Sequence, residues 1–354
     1  MLDTAAADRS ARLATACNEQ HADLLAGPGG RRCGEALRLT RARKDEEDLD
    51  EEDLSREDLV GYIRDRRNWG RWGADDQKGA VNLVTFSKTL RAAALVQTGQ
   101  TISLSREYPK IAGPGNSRPA QHLPLTWRHP PRGGAAGDYY GIAFHQWSCT
   151  HIDALCHIWD EDGMWGGRQP DDVFSKDGAS FGDIDQWHNG IVTRGVLLDV
   201  PRFRGVSCIE IGQPVHAAEL EAVAEQQGTT LEPGDALVVY SGREAFTAAH
   251  PEWDGEHPVR PGLHASCLRF IRDHDVAALL WDFMDEHPCA ENYGLPFGVH
   301  AALMSYGVAL VDNSYLEELA AACAAADRYE FMVVLAPLRV AGGTGSPLNP
   351  IAIL

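Results

Sequence analysis

The segment Thr150-His151-Ile152-Asp153-Ala154-Leu155-Cys156-His157 concentrates polar, metal-binding side chains within a short stretch, and His145 precedes it. His145, His151, Asp153 and His157 are separated by even numbers of residues. On an extended strand these four side chains would therefore share one face. If a helix instead begins near Asp153, then Asp153 and His157 are neighbours four positions apart. Either geometry brings imidazole nitrogens and a carboxylate oxygen together.

Imidazole and carboxylate ligands together suit Zn²⁺, Mn²⁺ or Fe²⁺. A cluster that leaves one coordination position for water is typical of catalytic sites. The alternative is that these polar groups cap a turn or form hydrogen bonds inside the core. The chain has 14 histidines in 354 residues, so the His-x-Asp-x-x-x-His spacing should arise by chance in roughly one chain of this size in twenty to thirty. Spacing alone leaves both interpretations open.

The composition restricts the partners and the compartment. Hydrophobic residues make up 44% of the chain, and the formal net charge is −19. Such a charge repels nucleic acid and anionic membrane surfaces, so we expect neither partner and a small-molecule substrate instead. The eight cysteines include no Cys-x-x-Cys pair, which favours reduced thiols. With no apolar run of transmembrane length and no signal peptide, we expect a cytoplasmic protein.

Residues 1–56 differ from the rest, with few large apolar residues and an acidic run at 45–53. We predict a poorly ordered or helical extension there and one folded domain over 57–354. Strands are predicted at 101–105, 191–200, 236–240, 276–281 and 331–337, and helices at 85–98, 217–227, 300–306 and 316–326. These elements alternate without a regular βαβ period, which predicts an α/β fold with a mixed sheet. The Pro- and Gly-rich stretch 109–137 is predicted to be a long loop.

The segment from Thr150 to His157 resembles the signature His-x-Gly-Thr-His-x-Asp-x-x-x-His of the metal-dependent cyclase family, which includes bacterial kynurenine formamidase and isatin hydrolase. Segments 68–76, 190–199 and 331–350 also resemble longer members of that family. The resemblance covers about residues 57–354. It implies the family's mixed-sheet α/β fold of the swivelling β/β/α type, and a homodimer or higher homo-oligomer.

The resemblance also implies functional residues. His151, Asp153, His300 and Asp312 would bind one or two divalent ions, Zn²⁺ or Mn²⁺, and His157 would transfer protons. Two positions depart from the family pattern. Trp147 stands where the family has its first histidine, and Asp312 stands where it usually has glutamate. His145 could supply the missing imidazole.

The hydrolase hypothesis is metal-dependent cleavage of an amide, lactam or lactone bond, with C–N bonds favoured, in a small apolar or aromatic molecule. Metal-activated water would be the nucleophile, and His157 would be the base. Trp69, Trp72 and Trp147 would line the substrate pocket, although core packing explains the pair Trp69 and Trp72 equally well. One alternative is a metal-assisted cyclase or dehydratase acting on an intermediate of secondary metabolism. The other is a non-catalytic binding protein that has lost the metal.

Asp285-Glu286-His287 also has metal-ligand chemistry. It follows the apolar strand predicted at 276–281, so we interpret it as the solvated exit of that strand and not as a site.

Overall fold

Nine strands form one mixed sheet in the computed structural model, which describes residues 56–354 except 114, 254, 256–258 and 288–297. From one edge to the other, the strands are β1 (Thr101–Ser103), β13 (Ile351–Ile353), β11 (Glu330–Leu335), β7 (Ile191–Asp199), β8 (Ala236–Tyr240), β9 (Ala278–Trp281), β10 (Ala309–Asp312), β4 (His151–Asp153) and β12 (Gly345–Pro347). Neighbouring strands are parallel along β7 to β10 and antiparallel in the other pairs. The predicted α/β class with a mixed sheet is confirmed.

The parallel centre of the sheet is the most deeply buried part of the core. All residues of β9 and β10 are buried, as are four of the five residues of β8. Parallel strands need helices over their faces, because their crossover connections lie there. The described helices are α1 (Arg56–Asp65), α2 (Phe86–Ala93), α3 (Pro170–Val173), α4 (Val200–Arg204), α5 (Ala217–Gln226), α6 (Arg243–Ala249), α7 (Cys267–Asp273), α8 (Ala301–Tyr306) and α9 (Glu317–Ala326), with short 3₁₀ turns at Gly79–Leu83, Trp165–Gly167, Ile184–Trp187 and Gly298–His300.

The strands predicted at 191–200, 236–240, 276–281 and 331–337 are present as β7, β8, β9 and β11. The helix predicted at 85–98 is shorter, because α2 ends at Ala93. Thr85 caps its start by accepting a hydrogen bond from the backbone N–H of Lys88. Beyond the helix, the carbonyl of Leu95 accepts a hydrogen bond from the Arg328 guanidinium instead of a helical N–H. A tertiary hydrogen bond to Leu95 therefore stands where the predicted helix would have formed a helical one.

The prediction of a loop over 109–137 is wrong. Strands β2 (Gln121–His129) and β3 (Gly133–Gly141) form a separate antiparallel pair with nine paired positions. We call this pair the ribbon. Leu123, Leu125 and Trp127 alternate with period two, but the surrounding Pro and Gly residues obscured that signal. Both strands of a two-stranded ribbon are edge strands, where a proline such as Pro124 is tolerated.

The boundary predicted between 1–56 and 57–354 stays a prediction, because the residues before Arg56 lie outside the described part of the chain. The remaining short strands are β5 (Phe174–Ser175) and β6 (Gly178–Ala179), which pair with each other. Among the described helices, none combines the length and the apolar character needed to cross a membrane.

Candidate metal centre

Strand β4 positions the first two polar side chains between β10 and β12. His151 and Asp153 are two residues apart on this strand, so they point to the same face of the sheet. Asp312 on β10 lies directly opposite His151 and shares that face. The Nε2 atom of His151 lies 3.4 Å from Oδ1 of Asp153 and 3.8 Å from Oδ2 of Asp312.

His145 reaches Asp153 because the residue opposite Asp153 on β12 is Gly345. A Cβ atom at Gly345 would lie 2.9 Å from Cε1 of His145 and 2.6 Å from the Ile152 carbonyl oxygen. Without that atom, Nδ1 of His145 lies 3.0 Å from Oδ1 of Asp153. On the other side of the ring, Nε2 of His145 is 3.2 Å from the hydroxyl of Thr344.

His157 lies in a turn after β4. Neither geometry considered from the sequence holds over the whole segment, because the strand is limited to His151–Asp153 and no helix begins near Asp153. The backbone N–H of His157 donates to the Ala154 carbonyl at 2.9 Å, which folds the chain back. The His157 ring stacks on His145 with centroids 4.0 Å apart, and its Nε2 lies 3.9 Å from Oδ1 of Asp153.

His300 lies just before α8 and is held between two carboxylates. Its Nε2 is 3.0 Å from Oδ2 of Asp312, and its Nδ1 contacts Oδ2 of Asp285. Its backbone N–H also donates to Oδ1 of Asp285 at 3.0 Å. The other oxygen of Asp312 accepts a hydrogen bond from the indole of Trp281 at 2.6 Å. The interpretation of Asp285 as a solvated strand exit is therefore wrong, because this buried residue orients a histidine of the cluster.

The potential ligand atoms form two groups that share Asp153. His145, His151 and Asp153 form the first group, and Asp153, His300 and Asp312 form the second. Within each group, one atom from each residue lies within 4.8 Å of the others. The structure thus brings together all five residues predicted as ligands, and it places His157 beside them.

Burial and charge act in opposite directions on the acidic groups. Burial would raise the pKa of Asp153, but the imidazoles of His157, His151 and His145 outweigh it and hold that pKa well below its ordinary value. Burial likewise opposes ionisation of Asp312, but the neighbouring His300 keeps its pKa lowered. Both carboxyl groups are therefore ionised at neutral pH.

The histidines beside these carboxylates differ in charge. Burial lowers the pKa of His157 to about 4, so this ring is neutral near pH 7 and can accept a proton. Burial would also lower the pKa of His300, but Asp285 and Asp312 outweigh it and raise that pKa well above the ordinary value.

The first group fits a metal ion because several of its buried polar atoms have no hydrogen-bond partner among the described residues. Both carboxylate oxygens of Asp153 and Nδ1 of His145 are buried and have no hydrogen-bond partner among the described residues. Although His145 and Asp153 are close, the two atoms do not align for a hydrogen bond. Nδ1 of His151 contacts the Cys149 carbonyl at 2.9 Å, which assigns the proton to Nδ1 and leaves the Nε2 lone pair facing Asp153. A buried carboxylate without hydrogen bonds is costly, and a bound cation would compensate that cost.

Asn313 ties the loop that carries His145 to the end of β10. Its side-chain amide donates to the carbonyls of Gln146 and Cys149 at 3.0 and 3.2 Å. Its amide oxygen accepts a hydrogen bond from the buried Arg243, which also donates to the Trp147 carbonyl. Sequence reasoning missed Asn313 and Arg243, because nothing in their local sequence indicates contacts with a segment so distant along the chain.

The three tryptophans predicted to bind substrate lie in two places. Trp69 donates from its indole to the Met304 carbonyl of α8, and Trp72 contacts Trp165 with centroids 6.3 Å apart. Trp147 lies under the Arg260 guanidinium and faces a cavity of about 520 Å³. The cavity is also lined by Trp253, Tyr315, Arg106 and Arg243. A role of these tryptophans in substrate binding stays a prediction.

The chain is similar to known proteins both in sequence and in fold. The family described as "Putative cyclase" matches residues 91–286, which is more than half of the chain. The crystal structure of a novel cyclase is 30% identical, with a TM-score of 0.71 over 82% of this chain and 99% of that one. An isatin hydrolase bound to the product analogue thioisatinate is 16% identical, with a TM-score of 0.51 over 76% of this chain and 95% of that one, which shows the shared fold alone. No curated protein matches the chain.

Proposed function

The chain belongs to the cyclase family, and from that premise we propose that it is a metal-dependent hydrolase. Its substrate would be a small apolar or aromatic molecule with an amide, lactam or lactone bond. The observation that carries the proposal is Asp153, a buried and ionised carboxylate beside three imidazoles, with neither oxygen hydrogen-bonded among the described residues.

His145, His151 and Asp153 would hold one divalent ion, zinc or manganese, because imidazole and carboxylate donors suit both. In this assignment His145 replaces the imidazole that the family places at Trp147. Asp153, His300 and Asp312 would hold a second ion. A bound ion supplies Lewis-acid chemistry, since it polarises a carbonyl group and lowers the pKa of water.

His157 would move the proton. Its ring is neutral near pH 7, because burial lowers its pKa to about 4. The stacking contact with His145 fixes the orientation of the ring. Nε2 of His157 would accept the proton of the attacking water and then donate it to the leaving nitrogen or oxygen atom.

The first experiment measures hydrolysis with and without chelation. The substrate panel would contain N-formyl aromatic amines, aromatic lactams and lactones. Isatin belongs in that panel, because an isatin hydrolase shares this fold. We expect chelation to abolish hydrolysis and readdition of Mn²⁺ or Zn²⁺ to restore it. A fully metal-depleted protein that retains full activity would refute the proposal.

A second candidate function is a metal-assisted cyclisation or dehydration. The observation that favours it is Trp147, an aromatic ring at a position where the family usually has a ligand, facing a cavity that Trp253 and Tyr315 also line. An aromatic ring in place of a polar ligand would leave less water beside the metal, which disfavours water as a nucleophile. Incorporation of labelled solvent oxygen into the product indicates hydrolysis, and its absence during turnover indicates cyclisation or dehydration.

A further inference from the structure

Arg260 is a half-buried arginine at the edge of the candidate metal centre. Its guanidinium lies over the Trp147 ring, 4.5 Å from the ring centroid, and its Nε donates to the Asp285 carbonyl at 2.9 Å. The side chain of Asp285 in turn holds His300, which belongs to the second group. The charged side chain of Arg260 therefore lies one residue away from a potential ligand of a metal ion.

The backbone of Arg260 is anchored beside Asp285. Arg260 and His287 exchange two backbone hydrogen bonds, with N–O distances of 3.3 and 3.2 Å. Gly262 packs directly against the same segment, because a Cβ atom at Gly262 would lie 2.3 Å from the Met284 carbonyl oxygen. A larger residue at this position would push the two segments apart. The fold thus fixes the point from which the Arg260 side chain extends.

Trp147, the other partner in the contact, is fixed as well. Its carbonyl accepts a hydrogen bond from Arg243 at 2.7 Å, and its ring meets the Trp253 ring nearly edge-on, with centroids 6.5 Å apart. Trp147 stands where the cyclase family usually has a metal ligand. The contact between Trp147 and Arg260 is therefore a feature of this chain and not of the family motif.

The positive charge of Arg260 has no salt bridge among the described residues. A guanidinium has five N–H donors, and within the described chain only the Nε of Arg260 donates a side-chain hydrogen bond. The nearby carboxylates already have a partner, since Asp285 and Asp312 both contact His300. Burial lowers the pKa of Arg260 against the opposing charges of Asp285 and Asp312, which reflects the cost of burying its charge. A bound anion would offset this cost.

We propose that Arg260 binds a carboxylate group of the small molecule on which this site acts. The inference rests on the proposed function, and it narrows the substrate class to apolar or aromatic molecules that also carry a carboxylate. The end of a guanidinium presents two parallel N–H groups, which match the two oxygens of a carboxylate. Contact with the Trp147 ring orients the plane of these donors before the ligand binds.

A carboxylate fits this position better than a phosphate. Asp312 is ionised and acts on the charge of Arg260, so it would repel a doubly charged group more strongly than a singly charged one. Arg260 also provides a place for a carboxylate that is separate from the potential ligands of an ion. A substrate held in this way would present its amide, lactam or lactone carbonyl, and not its acid group, to an ion beside His300.

The test compares two probes, 2-aminobenzoate and 2-aminobenzamide, which share a ring and an amine and differ in one charged group. Isothermal titration calorimetry measures their binding to the full chain, with Mn²⁺ and after chelation. The wild type should bind the carboxylate at least about tenfold more tightly than the amide in both states, because charge-assisted bidentate contacts are stronger than neutral ones. Arg260→Gln should lose this preference after chelation, and Arg260→Lys should retain part of it because the charge remains.

Arg269→Gln is the matched control. Arg269 is also half-buried, and its guanidinium lies 5.8 Å from the centroid of the Tyr62 ring, outside both ligand groups. This variant should bind both probes as the wild type does. A wild type that binds neither probe, or binds both equally, would overturn the proposal. An Arg260→Gln variant that keeps the wild-type preference in both states would also overturn it. Binding after chelation requires neither an ion nor turnover, so a failure of the proposed function would leave this result unaffected.

Hydrolysis kinetics distinguish a carboxylate that the substrate carries from one that hydrolysis forms. With 2-formamidobenzoate as the substrate, Arg260→Gln should raise KM at least about tenfold, because binding of the substrate carboxylate is lost. The KM for formanilide, which has no carboxylate, should stay unchanged. Weaker inhibition by the product formate, with both KM values unchanged, would assign the carboxylate to the product and overturn its assignment to the substrate.

Discussion

Asp153 and Asp312 lie in the same cluster, are both buried and ionised, and yet differ in their partners. The two oxygens of Asp312 meet the Trp281 indole and the His300 imidazole. Those of Asp153 have no hydrogen bond within the described chain. The oxygens of Asp312 are thus both hydrogen-bonded, whereas those of Asp153 have no hydrogen bond among the described residues, as the proposed binding of a cation by Asp153 requires.

The same difference predicts which of the two groups binds an ion more tightly. An ion in the second group must break the contact between His300 and Asp312. An ion in the first group breaks no hydrogen bond of Asp153 and compensates a buried charge. We therefore expect the group around His145 to bind first and more tightly.

The largest loss of metal affinity and of activity is expected for Asp153→Asn. This change removes the charge that both groups share, so the affinity for Mn²⁺ or Zn²⁺ should fall by more than about 100-fold and hydrolysis should cease. Asp312→Asn is the matched control, and it should weaken the first ion by about tenfold or less, because Asp312 belongs only to the second group. Isothermal titration calorimetry measures both affinities. Equal losses in the two variants would remove the distinction between the two halves.

His157→Ala should lower kcat by about 10²- to 10⁴-fold, because a general base is lost. The first ion should still bind, because His157 belongs to neither ligand group. His188→Ala, at an exposed histidine that contacts the Asp185 carbonyl, is the matched control and should leave kcat unchanged. Loss of the metal from His157→Ala, measured by elemental analysis, would show that this residue is a ligand and not the base.

Asp285→Asn should weaken the second ion by about 10- to 100-fold, as is usual when the carboxylate behind a metal-binding histidine is lost. The first ion should bind with unchanged affinity, since Asp285 contacts His300 and not His145. A calorimetric titration that resolves two binding steps gives both values. If Asp285→Asn lost only the binding of the first ion, Asp285 would support the first group and not the second.

The smallest expected effect is on the pH dependence of stability. It concerns His264, a buried histidine outside both groups. Burial, and then the neighbouring His216, lowers its pKa to about 4. The folded protein thus binds fewer protons here than the unfolded chain, whose histidine pKa is about 6.5. The contribution of His264 to stability is full above pH 6.5 and is lost as the pH falls toward 4.

Urea unfolding should therefore show that the wild type loses about 1–2 kcal/mol from this residue between pH 7 and pH 5. His264→Gln should have a flatter dependence over the same interval. An identical pH dependence in both proteins would mean that the His264 imidazole titrates alike in the folded and unfolded states. Such a result would weaken the argument that burial and a neighbouring imidazole keep His264 neutral in the folded protein.

The sequence was sufficient to predict the strands at the centre of the sheet, because continuous apolar runs such as Ala278–Trp281 are typical of strands buried on both faces. It was also sufficient to predict that His151, Asp153 and His157 lie near one another, because they lie within one turn and one strand. Asp285 could not be assigned, since its partner His300 lies on a separate segment and its own surroundings look solvated in sequence. The ribbon escaped prediction because prolines and glycines accompany its alternating apolar residues.

The central claim is that the oxygens of Asp153 lack hydrogen bonds among the described residues because this carboxylate binds a divalent ion together with His145 and His151. Crystals grown with Mn²⁺, with data collected at the manganese absorption edge, test this claim most directly. We expect an anomalous peak in contact with Asp153, His145 and His151, and a weaker peak or none between His300 and Asp312. Well-ordered crystals without a peak at Asp153, or with a peak only at the second group, would contradict it.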